Sequence, residues 1–147
     1  MALQPFMASA LASLAVAPSI CFEAVLPGAS NELARAGAEV LVNQTDDSCF
    51  AATLGPALHL DASRLRAVET RRWRVRASNS GVSAVIDPSG AVVASLPFGV
   101  VGTLAESVER RQELTPYVRY GDWVVGVSGL IVALNAAGEY GRRRGRR

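Results

Sequence analysis

Cys21 and Glu23 close the stretch Val16-Ala17-Pro18-Ser19-Ile20-Cys21-Phe22-Glu23, at the end of an apolar run over residues 14–20. A buried strand that stops at a thiol, an aromatic ring and a carboxylate suits a nucleophile. The strand fixes the backbone, and a sharp exit lifts one side chain into a cleft at the sheet edge. The sulfur attacks only as thiolate, so a base or a positive charge has to stand close to it. Read locally, the stretch also suits a small apolar residue ending a core strand, because free cysteine is among the most buried residue types.

Other chemistry-bearing residues are few. Cys49 lies in a polar loop over residues 44–55 and is expected to pack, with a reactive pair or disulfide to Cys21 left open. His59, the sole histidine, falls on a helix and reads as a structural hydrogen-bonder. Two cysteines without CxxC or Cys/His spacing predict no metal, and no cofactor is expected. All fifteen basic residues are arginine, so lysine chemistry is absent from the 147 residues. Arg66, Glu69 and Arg76 are expected to form an ion-pair network bracing a sheet, since partly buried charges need partners. Asn79, two before Gly81, shapes a turn.

These residues need a scaffold, and the length allows one domain with a core. Ser30 is placed to cap a short helix over 31–36, Gly37 to end it, and residues 39–43 to form a buried strand. A helix over 56–71 carries an apolar stripe of Leu58, Ala62, Leu65 and Val68. Residues 73–77 and 82–86 alternate as strands, and Asp87-Pro88-Ser89-Gly90 turns the chain into a return strand over 91–96. A further short strand is expected over 99–104. The loop after the second strand lies where open α/β sheets hold ligands.

Both ends carry membrane signals of unequal weight. The apolar start lacks a basic flank, and cleavage after Ala15-Val16-Ala17 would leave Cys21 almost at the new terminus, so a start inside a longer frame fits better than a signal peptide. Residues 123–137 are uncharged and mostly apolar apart from Asn135, with Trp123 and Tyr140 at the ends and five arginines in the last six positions. The run is shorter than the about 20 residues a span wants, but its flanks favour a membrane helix with a basic cytoplasmic tail. The expected division is 1–115 as an enzyme-like domain part, 116–122 as a juxtamembrane linker, 123–140 as the span and 141–147 as the tail. Nucleic-acid binding is not expected, since no aromatic platform accompanies the arginines.

Ile20-Cys21-Phe22-Glu23 resembles the ICYE motif around the nucleophile of the apolipoprotein N-acyltransferases, a membrane branch of the nitrilase (carbon–nitrogen hydrolase) superfamily. Further blocks follow in order: Leu41-Val42-Asn43, Gly55-Pro56 with His59, Arg64 to Glu69, Arg76-Ala77-Ser78-Asn79-Ser80-Gly81, Val85 to Gly90, and Leu114-Thr115-Pro116-Tyr117 with Gly121-Asp122-Trp123. The resemblance covers about residues 14–137. It implies an α/β fold, a partial nitrilase-like α–β–β–α sandwich followed by a C-terminal transmembrane helix, in a bacterial inner membrane with the domain on the periplasmic side. It also implies acyl transfer from a phospholipid to the N-terminal amine of a lipoprotein, through a thioester on Cys21.

In this reading Glu23 supports the nucleophile, Phe22 offers its N–H to an oxyanion hole, and Asp47 and Phe50 belong to the substrate loop. The family's glutamate and lysine precede its cysteine and have no counterpart here. Cys49 stands for a tryptophan, Ala51 for a glycine and Phe22 for a tyrosine. The chain by itself is therefore expected to be inactive. A soluble nitrilase-like amidase and a non-catalytic remnant or accessory module remain as alternatives.

Overall fold

The computed structural model describes residues 14–50 and 53–144. The apolar start, Ala51 and the last arginines, which figure in the expectations above, lie outside them. The chain runs β1 (Val16–Ile20), a 3-10 turn (Cys21–Ala24), α1 (Pro27–Arg35), β2 (Val40–Thr45), a second 3-10 turn (Ser48–Phe50) and α2 (Gly55–Thr70). It continues through β3 (Trp73–Ser78), β4 (Ser83–Ile86), β5 (Val92–Leu96), α3 (Pro116–Tyr120) and α4 (Trp123–Arg144). The five strands lie in sequence order in one sheet. β1, β2 and β3 are parallel, and β4 and β5 are antiparallel to their neighbours.

Register places Ser19, Asn43, Arg76 and Ala84 in one row across the sheet, and Ala17, Leu41, Arg74 and Ile86 in the next row on the same face. All eight are buried. Leu33 of α1 packs on Ala17, Ala38 and Leu41, and Leu60 and Ala67 of α2 pack on Ala84 and Ile86. The opposite face is apolar and less covered: Val40 and Val85 are buried, Val42, Trp73, Val75 and Ala94 are half-buried, and Pro18 and Ile20 are exposed. One helical layer on one sheet is the α–β half of the layered sandwich that the resemblance implies.

Several local expectations are corrected. α1 begins at Pro27, whose ring is pre-set for a first helical turn, and not after a Ser30 cap. Ser30 is instead buried within α1, where its hydroxyl accepts from both terminal nitrogens of Arg74 at 3.3 and 3.2 Å. The stripe on α2 faces outward, with Leu58 65% and Leu65 57% exposed. The buried side of that helix carries Pro56, His59, Ser63, Arg66, Ala67 and Thr70, because the sheet beneath it presents arginine and carboxylate partners. No strand forms over 99–104. The chain turns away from β5 at Gly99, which has φ +72°, and Val101 beyond it is fully exposed.

The Asp87 turn forms as expected: the carboxylate accepts from the N–H of Ser89 and of Ala91, and Gly90 takes φ +85°. Within 116–122, α3 docks on the domain through buried Val118, whose carbonyl accepts from Arg35 Nε at 2.6 Å. Gly121, at φ +63°, then releases the chain into α4. Val124, Val125, Leu130, Ile131 and Leu134 on α4 are all more than half exposed. Asn135 bonds back to the carbonyl of Ile131 at 2.8 Å. Among the described residues, no helix is long and apolar enough to cross a membrane.

Candidate active site

β1 delivers Cys21 at the carboxyl end of the sheet. Ile20 is still extended, and Cys21 then takes φ +48°, a left-handed conformation that is uncommon outside glycine, asparagine and aspartate. The following 3-10 turn is closed by Glu23, whose Oε2 accepts from the N–H of Ile20 at 2.8 Å. Glu23 thus ties the residue before the thiol to the one two places after it. Cys21 is exposed and unbridged, and Phe22 beside it is 59% exposed. Cys49 is also free and exposed, so the packing role expected for it is not what the fold provides: the Ser48–Phe50 turn points it outward.

Asp47 and Phe50 stand at the second corner of the site, after β2. Asp47 is fully buried. Oδ1 accepts from Thr45 Oγ1 at 3.1 Å and from His59 Nδ1 at 2.9 Å, and Oδ2 accepts from Arg76 Nη2. Asp47 has only acceptors to offer, so Nδ1 of His59 carries the hydrogen. Burial pushes the Asp47 carboxyl up, but the His59 bond and the charge of Arg76 outweigh it and hold it below the usual carboxylate range. With both oxygens engaged, Asp47 is the buried root of the loop over residues 46–50.

Phe50 is half-buried and meets the His59 ring edge-on, with centroids 5.9 Å apart and planes at 75°. A Cβ on Gly55 would lie 2.6 Å from the Phe50 ring, so that packing depends on glycine.

The expected network of Arg66, Glu69 and Arg76 divides in two. Arg66 Nη2 pairs with Glu69 at 2.8 Å, while Arg76 turns to Asp47, its neighbour across the β2–β3 end. Burial raises the Glu69 carboxyl, Arg66 opposes that, and nearby Asp122 adds to it. Arg74, which lies between the two groups, is lowered to about 10 by burial and by the charges of Arg66 and Arg76. Asn43, which the sequence marks only as part of a strand motif, donates its Nδ2 to the Cys21 carbonyl at 3.3 Å and to the Ser19 carbonyl at 3.2 Å. The signal for it was an amide directly after the apolar run Val40-Leu41-Val42.

A surface hollow of about 360 Å³ lies elsewhere, between α2 and the β4–β5 turn, lined by Arg64, Leu65, Val68 and Gly90 among others. It includes neither Cys21 nor Phe50. Among the described residues no group of three or more potential ligands could hold a metal.

The carbon–nitrogen hydrolase profile matches residues 3–112. The chain belongs to the carbon–nitrogen hydrolase family. Within that family it is 38% identical over 133 residues to the apolipoprotein N-acyltransferase of Pseudomonas aeruginosa, which covers 90% of this chain and 26% of the relative. It is 40% identical over 135 residues to the apolipoprotein N-acyltransferase of Gloeobacter violaceus, which covers 87% of this chain and 26% of the relative. The chain thus spans about a quarter of the length of these relatives.

Among solved structures, a mutant amidase from Nesterenkonia sp. AN1, carrying acrylamide on its active-site cysteine, aligns at a TM-score of 0.52 and 21% identity, over 66% of this chain and 40% of the amidase. A carbon–nitrogen hydrolase from Helicobacter pylori aligns at 0.50 and 17%, over 56% of this chain and 36% of that one. At those identities the likeness is one of fold.

Proposed function

We propose that this chain carries the nucleophile-bearing part of an apolipoprotein N-acyltransferase, with Cys21 as the acyl-carrying residue. The observation that carries the reading is the left-handed elbow. An exposed thiol stands at the carboxyl end of β1, the parallel strand at one edge of the sheet, locked by Glu23 on its own turn, in a chain whose relatives bear that name.

The Cys21 thiolate attacks the ester carbonyl of a phospholipid. The developing oxyanion is held by donors that include the Phe22 N–H, and the ester C–O bond breaks to release a lysophospholipid. The free amine of a lipoprotein's N-terminal cysteine then attacks the thioester, the amide forms, and the thiol is regenerated. The proton acceptor and the positive charge that favours the thiolate come from outside the 147 residues, which hold no lysine. The apolar first part of α4, residues 123–137, sits in the bacterial inner membrane ahead of the arginines at the helix end, with the α/β domain on the periplasmic side.

By itself the chain should transfer no acyl group from phospholipid to a diacylated lipopeptide in detergent. Turnover that vanished in Cys21→Ser would contradict this. The decisive experiment joins residues 14–147 in frame to the preceding part of the Pseudomonas aeruginosa relative and measures covalent mass gain with phospholipid. Cys21→Ala should abolish the adduct, Cys49→Ala should leave most of it, and Glu23→Gln should fall between. An adduct that persists in Cys21→Ala, or that maps to Cys49, overturns the reading.

A further inference from the structure

We propose that Arg76 is a positioning residue for Cys21, acting through Asn43, and that the same guanidinium positions the 46–50 loop through Asp47. The two corners of the site are then set together by one buried side chain. This deepens the reading of Cys21 as the nucleophile and rests on it only for its purpose.

The wiring follows from donor and acceptor chemistry. Arg76 is buried and has five N–H donors in a rigid fork and no acceptor. Nε donates to the Val82 carbonyl at 3.2 Å and Nη2 to Asp47, which fixes the plane of the fork. Nη1 then points along the sheet row to Asn43 Oδ1 at 3.1 Å, with Ser63 Oγ at 3.4 Å. Because arginine can only donate, the amide oxygen of Asn43 must face it. The amide nitrogen is thereby turned to the other side, onto the carbonyls of Ser19 and Cys21.

Cys21 needs such a hold. Among the described residues only Cys21 and Arg71 take positive φ without being glycine, and Arg71 ends α2, where a left-handed residue is ordinary. A strained residue persists where its surroundings over-determine it. For Cys21 those surroundings are Asn43 on its carbonyl and Glu23 on the preceding N–H.

The test uses the full chain in detergent, with backbone NMR and amide exchange. The Cα and Cβ shifts of Cys21 report its left-handed φ, a signature that a merely structural brace would not move. Asn43→Asp keeps an acceptor for Arg76, now charged, and removes the donor to Cys21. Its charge pair with Arg76 offsets part of the lost bonds to Ser19 and Cys21, so the chain should stay folded. Cys21 should nevertheless lose its left-handed shifts, and exchange of the Val25 and Leu26 amides should quicken about fivefold, the scale of one lost hydrogen bond. Asn43→Ala, which adds no charge, should move Cys21 the same way.

Arg76→Lys should disturb Cys21 and residues 46–50 together, since a lysine cannot span both partners. Left-handed Cys21 shifts retained in Asn43→Asp overturn the proposal, as does Arg76→Lys that disturbs only one corner. Should Asn43→Ala or Arg76→Lys fail to fold, Asn43→Asp still decides. None of these readouts depends on acyl transfer, so failure here and failure of the proposed function are separable.

Discussion

At the scale of single residues, the site is held by buried charge. Asp47 has its carboxyl lowered in the folded state, so its contribution is complete above the unfolded value of about 3.9 and is lost as pH falls through the folded value. Asp47→Asn should therefore flatten the acid limb of the melting temperature against pH. It should also cost about 3 kcal/mol near neutrality, because it leaves Arg76 buried without its counter-charge. An unchanged acid limb would place the acid sensitivity elsewhere. Gly81 depends on the same carboxylate: a Cβ there would lie 2.1 Å from Asp47 Oδ2. Gly81→Ala should cost about 1–3 kcal/mol by urea denaturation, as overpacking does, with exchange quickening over 46–50.

At the scale of elements, burial and hydrophobicity part company. β3 buries Arg74 and Arg76 under the helices and turns Trp73 and Val75 to the open face. α2 buries His59, Ser63 and Arg66 and exposes Leu58 and Leu65. The two reversals fit each other, since arginines on a sheet require acceptors on the helix above them. Substitution on the two sides of α2 should then behave oppositely. Leu58→Gln and Leu65→Gln should each stay within about 0.5 kcal/mol in urea denaturation, as exposed sites do. Ala67→Leu, at a position with no exposed surface, should cost about 1–3 kcal/mol. A larger loss at Leu58 than at Ala67 would show that the outer side of α2 carries the packing.

At the scale of the whole molecule, two apolar surfaces are open among the described residues: the partly covered sheet face around Pro18, Val42 and Val75, and α4 from Trp123 to Leu134. Contiguous apolar surface of this kind favours association with lipid or protein. The intact chain should sediment with membranes, and truncation after Tyr120 should shift much of it to the soluble fraction. Recovery of the intact chain as a detergent-free monomer would count against α4 as a membrane helix. Loss of α4 should leave the α/β layer folded, because the layer is bonded to α3 and its cap, through Arg35 to Val118 and through Thr115 Oγ1 to the Glu69 carbonyl at 2.6 Å.

Local chemistry was legible in the sequence wherever a residue acts on its immediate neighbours. The Asp87 turn, the glycine that ends α1 and the thiol at the end of β1 follow from short-range rules of φ and hydrogen bonding, and the ordered motifs pointed to the family. What the tertiary structure alone decided is which side of each element faces inward. Periodicity marked an apolar side on α2, but register placed Arg76 and Asp47 beneath the other side. Likewise, 99–104 has the composition of a strand but forms none, because Gly99 at φ +72° turns the chain away after β5. The link from Cys21 through Asn43 and Arg76 to Asp47 joins residues as far as 33 apart in sequence, from Asn43 to Arg76. It exists only because parallel strands bring those positions side by side, and a single sequence carries no term for that pairing.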